Sequence, residues 1–220
     1  MNPIQDIFEL IGEDHIATAL ETPLRDDAFA NNDELKIELI QAHFKEIMNI
    51  LGLDLNDDSL NGTPYRVAKM YVKEIFGGLN PKNNPGTKLF ENKYQYNEML
   101  IEKNITLFSY CEHHFLPIIG HVHVAYISGG NVIGLSKINR LVQYYAKRPQ
   151  VQERLTNQIA EGLKKALDSE DVAVIIEAVH LCVSARGIKD TNTNTITAYY
   201  SGKFQDEKVK MEFISLIHNK

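Results

Sequence analysis

The spacing of the apolar residues changes near residue 95, and that change limits the fold more than any other feature of the chain. Before it, apolar side chains recur every three or four positions, as on one face of a helix. Asn32 or Asp33 can cap a helix that buries Ile37, Ile40, Phe44, Ile47 and Leu51, with Gly52 as its stop. Thr63 and Pro64 start a second helix, proline standing at the first helical position. Val67, Met70, Tyr71, Ile75 and Phe76 form its apolar face, and Gly77-Gly78 ends it. Residues 80–86, rich in Asn, Pro and Gly, read as a loop. Beyond residue 95, β-branched and aromatic residues take over. Residues 97–109, 121–128, 172–183 and 193–201 read as strands. Residues 135–147 and 150–167 read as helices parted by Lys147-Arg148-Pro149, and 206–217 as a last amphipathic helix. Two strands, two helices and two strands predict an α+β domain over 96–220, an antiparallel sheet with two helices on one face. A helical region over 1–95 precedes it.

Charge and cysteine usage exclude several classes. Lys and Arg number 23 against 29 Asp and Glu, a net charge of −6. That leaves no general polyanion-binding surface, so no nucleic-acid partner is expected. No apolar run approaches the roughly 20 residues that span a bilayer, so no membrane partner is expected either. The N-terminus, MNPIQDIFELIGEDH, is acidic where a signal peptide is basic, which makes a cytoplasmic protein the expectation. Cys111 and Cys182 are the only cysteines. They cannot build a disulfide scaffold and remain as core thiols or metal ligands.

Cys111-Glu112-His113-His114 has the C-x-x-H spacing that offers a thiolate and an imidazole to one ion. On a strand over 172–183, alternation places His180 and Cys182 on one face. Cys111, His114 and Cys182 together make three ligands with an open fourth position, the catalytic pattern for zinc. His113 and His180 are then left as acid/base groups beside it. Taken alone, a C-x-x-H match is a weak signal, because a buried free cysteine is common. Ser136, Lys137 and Arg140 share the polar side of a first helical turn, which makes either an anion site or a solvated helix face. Arg186 can extend that cluster toward the metal. Gln152 and Glu153 open the helix after Pro149. Glu153 there complements the helix dipole, or accepts hydrogen bonds from a guanine-like ring edge. His121 and His123 share a strand face and read as half-exposed residues.

These segments together resemble the GTP cyclohydrolase I family. The resemblance is carried by Ser109-Tyr110-Cys111-Glu112-His113-His114-Phe115-Leu116-Pro117, by Gly134-Leu135-Ser136-Lys137-Ile138-Asn139-Arg140, and by Arg148-Pro149-Gln150-Val151-Gln152-Glu153-Arg154-Leu155-Thr156. His180-Leu181-Cys182, Ala185-Arg186-Gly187 and the upstream Gly62-Thr63-Pro64-Tyr65-Arg66-Val67-Ala68 complete it. It implies a tunnelling-fold domain behind an N-terminal helical extension, assembled as a homodecamer with active sites at subunit interfaces. It implies conversion of GTP and water to 7,8-dihydroneopterin triphosphate and formate, the entry to tetrahydrofolate and other pterins. Cys111, His114 and Cys182 are implied as ligands of Zn2+, and His113 and His180 as catalytic histidines. Glu153, with Gln152, is the implied guanine anchor. Lys137, Arg140 and Arg186 are the implied triphosphate contacts. Ser136 lies beside them and assists the ribose steps, and Arg66 reaches the phosphates of a neighbouring subunit's site. Three other readings fit less well. Zinc deaminases carry a C-x-x-C that this chain lacks. A nitrile-reducing relative of the same fold needs a nucleophilic cysteine outside the metal pattern. A binding module with structural zinc needs a fourth strong ligand.

Overall fold

The computed structural model describes residues 19–86 and 88–219. The acidic N-terminal stretch through residue 18, including His15, lies outside them. The first helix, α1 (Asp33–Ile50), starts where Asn32 Oδ1 accepts the Leu35 N–H at 2.9 Å, and the chain turns away at Gly52 with φ +78°. Its expected buried face is corrected. Only Met48 is buried, Ile37, Ile40 and Phe44 are half-covered, and Ile47 and Leu51 are exposed. The period of 3.6 correctly marks a helix, but no element among the described residues covers the outer part of its apolar stripe.

Helix α2 (Thr63–Lys69) has Pro64 in its first turn and continues as a π-helical segment, Met70–Ile75. The chain then meets the rest of the protein at Gly78. Its N–H donates to Lys147 O at 2.9 Å, and its carbonyl accepts from Arg148 Nε at 3.0 Å. A Cβ there would lie 2.0 Å from Tyr144 O, so only glycine permits the approach. The region before residue 95 closes with a short strand, β1 (Leu89–Glu91), paired with β4 (Asn131–Ile133).

The main sheet has the order β5-β2-β3-β6-β7. Its members are β2 (Met99–Cys111), β3 (Pro117–Ile127), β5 (Pro149–Gln150), β6 (Val172–His180) and β7 (Thr195–Tyr200). All pairings are antiparallel except that of β5 with β2. Helices α3 (Leu135–Ala146) and α4 (Gln152–Leu167) bury Ile138, Leu141, Val142, Leu155, Ile159 and Leu163 against Leu107, Ile118, Val122, Val174 and Ile176. The last helix, α6 (Glu207–His218), sends Phe213 and Ile217 to the opposite face against Ala125, Ile127, Ala173 and Ile175. The sheet is thus covered on both faces at one end. At the other end, β2 finishes, β3 starts, β6 finishes, β7 starts and α4 starts, and the predicted metal ligands gather there.

Two readings of the strands are corrected. Strand β6 stops at His180, and Cys182 lies in a single helical turn, α5 (Leu181–Ser184), not on the strand. His123 is buried rather than half-exposed, while His121 faces out. A bulge in β2 between Glu102 and Ile105 puts Asn104 at φ +60°, and its N–H points at His123 Nδ1, 3.4 Å away.

Candidate metal and catalytic site

The metal loop is shaped by its own backbone. Cys111 N–H donates to Leu116 O and Phe115 N–H to Cys111 O, both at 2.8 Å, with Phe115 at φ +53°. The loop is fastened sideways where Glu112 N–H donates to Gln150 O on β5 at 3.0 Å. This tight reversal brings His114 back beside Cys111. Cys182 arrives from β6 through the turn of α5, so it reaches the site by a helical step rather than by strand alternation. The donor atoms of Cys111, His114 and Cys182 all lie within 4.8 Å of one another, and among the described residues the group has these three members. With zinc–sulfur distances of about 2.3 Å and zinc–nitrogen distances of about 2.0 Å, one tetrahedral ion fits that spread. Burial and the neighbouring Cys111 thiol push the Cys182 thiol up to about 11. Two soft sulfur donors and one imidazole are a donor set suited to zinc.

The other predicted residues fall into two places. His113 lies at the metal loop, its Nδ1 3.6 Å from Cys111 Sγ and its Nε2 3.8 Å from Glu112 Oε1. Arg186 Nη1 donates to His114 Nε2 at 2.7 Å. Burial and the Arg186 guanidinium hold the His114 imidazole below its ordinary pKa. His180, at the end of β6, meets Gln152 Oε1 through Nε2 at 2.8 Å. Burial lowers its pKa, and the Glu153 carboxylate works in the opposite direction. Glu153 itself is exposed in the first turn of α4. Residues 111, 113, 114, 153, 180, 182 and 186 therefore surround one end of the sheet.

Ser136, Lys137 and Arg140 stand elsewhere. Asn139 Nδ2 donates to Glu102 Oε1 at 3.3 Å, Gln143 Nε2 to Thr106 O at 2.7 Å, and Ala146 O accepts from Ser109 Oγ at 2.8 Å. Helix α3 therefore runs alongside β2 in the same direction, and its start lies at the end of the sheet away from Cys111. At 1.5 Å per residue, Lys137 is about 14 Å of helix before Ala146. Lys137 Nζ donates to Pro85 O at 3.1 Å, and Arg140 borders a cavity it shares with Lys73 and Lys147. Arg66 Nη2 is turned onto Ser59 O and Thr63 Oγ1, at 3.2 and 2.8 Å.

Sequence reasoning missed Arg154. Its side chain is buried and holds Glu112 through both carboxylate oxygens, while its Nε donates to Ala19 O at 3.0 Å. The signal available was a fixed charge next to the apolar stripe of Leu155, Ile159 and Leu163.

The family model described as GTP cyclohydrolase I matches residues 40–218. A Flavobacterium johnsoniae protein named GTP cyclohydrolase 1 is 59% identical over 97% of this chain and 96% of its own length. A Citrobacter koseri protein of the same name is 49% identical over 100% of this chain and 99% of its own. An Escherichia coli protein of that name is 50% identical over 96% and 95%. With the family model spanning most of the chain and relatives this similar over nearly full length, the chain belongs to the GTP cyclohydrolase I family.

Proposed function

We propose that the protein is a zinc-dependent GTP cyclohydrolase I. It converts GTP and water to formate and 7,8-dihydroneopterin triphosphate, the opening reaction of tetrahydrofolate and related pterin synthesis. The observation that carries this reading is the grouping of Cys111, His114 and Cys182, three donors among the described residues, with His113 beside Cys111 and His180 at the end of β6. The name shared by the full-length relatives supports it.

Cys111, His114 and Cys182 hold the zinc, which when bound supplies Lewis-acid activation of water at neutral pH. The chain's own residues do the rest. Glu153 accepts from N1–H and the exocyclic amino group of guanine, and adenine, with the opposite edge, is rejected. His180 carries the proton needed as the imidazole ring of the purine opens, and His113 assists. Arg186, beside the metal loop, and Lys137 and Arg140, at the start of α3, bind the triphosphate and hold the base in register. Ser136 serves the ribose rearrangement that precedes ring closure. Arg66 contributes to the phosphate site of a neighbouring copy.

Lys137 and Arg140 lie far along α3 from Cys111, so a complete site draws its metal half and its triphosphate half from different copies. A homodecameric assembly of tunnelling-fold domains over 96–220, each behind a helical extension over 1–95, provides that arrangement. It also gives a partner to the apolar surface left open on α1 (Leu39, Ile47, Ile50 and Leu51) and on the sheet (Phe108, Ile119 and Ile196). Among the described residues no helix is long and apolar enough to cross a membrane, which is compatible with the cytoplasmic location we assign.

The test incubates GTP with the zinc-loaded protein and with the same protein stripped by chelator. Formate and a pterin chromophore appear together in the first and in neither amount in the second. Persistence of both in the stripped protein sinks the zinc assignment. The shared site is tested by mixing Lys137→Ala with Cys182→Ser subunits, each inactive alone. If each site takes one half from each of two copies, equal mixing restores about one quarter of the sites. No recovery in oligomers shown to have mixed places both halves in one chain.

A further inference from the structure

We propose that Gln152 is a positioning residue for His180, and that its amide decides which ring nitrogen of His180 carries the proton. Thr156 Oγ1 donates its single proton to Gln152 O, 2.8 Å away. In the 2.7 Å contact between Thr156 Oγ1 and Thr197 Oγ1, the donor is therefore Thr197. That leaves the lone pairs of Thr197 Oγ1 to accept from Gln152 Nε2 at 3.1 Å. The other neighbours of Gln152 Nε2 are the carbonyls of Ile176 and Thr195, at 3.2 and 3.0 Å, which only accept. Three acceptors on one side fix the amide with its NH2 group toward the sheet. The side chain is buried, at 1% exposure, so bulk water does not compete for it.

The remaining amide atom, Oε1, faces His180 Nε2 at 2.8 Å. A carbonyl oxygen cannot donate, so Nε2 must carry the hydrogen. The neutral ring then has a bare Nδ1. This deepens the cyclohydrolase reading and rests on it. It also divides the labour of the first turn of α4. The Glu153 carboxylate reads guanine, and the Gln152 side chain, fully engaged inside, serves His180 instead. A glutamine is required because its amide must reach from the helix to both β6 and β7.

The test is magic-angle-spinning 15N spectroscopy of zinc-loaded full-length protein labelled at histidine, at a pH where the ring is neutral. His180 is assigned by subtracting the spectrum of His180→Ala. The expected signature is a protonated Nε2 and a bare Nδ1, and the opposite assignment overturns the proposal. This measurement does not depend on any Gln152 variant folding. In parallel, Gln152→Met keeps the length and apolar body of the side chain but removes the amide. Its kcat is expected to fall roughly 10- to 100-fold, as when other supporting partners of site residues are removed. KM for GTP is expected to stay within about twofold, because no ground-state contact to substrate is lost. Zinc content should not change, and the His180 signals should become those of mixed tautomers. A raised KM with unchanged kcat means that Gln152 contacts guanine directly and overturns the proposal. If the wild-type protein makes no formate or pterin from GTP, the cyclohydrolase reading fails, while the nitrogen signals still report on the hydrogen bond.

Discussion

Arg154 grips Glu112 with two parallel hydrogen bonds, Nη1 to Oε2 at 2.5 Å and Nη2 to Oε1 at 3.3 Å. Arg154 belongs to α4, and Glu112 lies between the candidate metal ligand Cys111 and the catalytic candidate His113. The pair therefore ties the metal loop to the helix that carries Gln152 and Glu153. Only the planar guanidinium makes such a fork, so Arg154→Lys should loosen the loop even though it keeps the charge. We expect Arg154→Lys to lower zinc affinity by about tenfold or more in chelator competition. Arg154→Met removes the fork from a largely buried carboxylate and should cost about 3 kcal/mol in denaturant unfolding at fixed protein concentration. Unchanged zinc affinity in Arg154→Lys would show that the loop is held by its backbone alone.

Gly78 fastens the α1–α2 region to the start of β5. A methyl group there would meet Tyr144 O at 2.0 Å and Lys147 O at 2.8 Å, both backbone atoms that cannot swing aside. Gly78→Ala should therefore cost at least about 3 kcal/mol, the upper end for an overpacked site. The same substitution at Gly129, where the added atom meets nothing within 4 Å, is the control and should leave the melting temperature nearly unchanged.

His123 should make the fold acid-sensitive. Burial lowers its pKa in the folded chain, the Glu177 carboxylate opposes this, and His121, His218 and Lys103 reinforce it. The unfolded chain takes up a proton near pH 6.5, whereas the folded chain resists until lower pH. The contribution of neutral His123 is therefore whole above about pH 6.5 and is lost as pH falls toward the folded value, at about 1.4 kcal/mol per unit of separation. Protonation at Nδ1 also removes the acceptor of the Asn104 N–H. The melting temperature of the wild type should drop between pH 7.5 and 5.5, and His123→Gln should flatten that drop. Equal slopes in the two proteins would acquit His123.

Metal binding and proton transfer should separate by mutation. Cys182→Ser should lose zinc and activity together. His180→Gln should keep zinc, by elemental analysis, and lose activity by roughly 10²-fold or more, the usual contribution of an acid/base group. Loss of zinc in His180→Gln would make His180 a support of the metal rather than a carrier of protons.

Glu153→Gln keeps the size of the side chain and replaces one acceptor oxygen by a donor. With a charged hydrogen bond to guanine lost, kcat/KM for GTP should fall by about 10- to 100-fold. A fall of less than twofold would free Glu153 from the guanine site.

Much of this was legible in the sequence. The change of period near residue 95 marks the passage from helices to sheet, and Asn32, Pro64 and the turn at 128–131 mark real boundaries. Cys111 and His114 could be paired from spacing because a tight loop keeps sequence neighbours together. Cys182 does join Cys111 and His114, but not by strand alternation. Alternation assumes that the strand continues, and the chain instead coils after His180, a tertiary outcome that local pattern does not encode. The outer stripe of α1 was misread because periodicity tells which face is apolar but not what covers it. Arg154 was missed because a single charge near an apolar stripe shows its meaning only when Glu112 is seen opposite. Lys137, Arg140 and Arg186 read as one set of triphosphate contacts, and only the direction of α3 along β2 shows that Lys137 and Arg140 stand away from Arg186 and Cys111 within one chain.

The most direct test of the account gives the zinc-loaded protein GTP labelled with 13C at C8 and follows both products by NMR. The label should appear in formate, in step with 7,8-dihydroneopterin triphosphate and with consumption of GTP. Conversion of GTP to GDP with the label still in the purine ring, or no turnover by protein with its zinc in place, would contradict it.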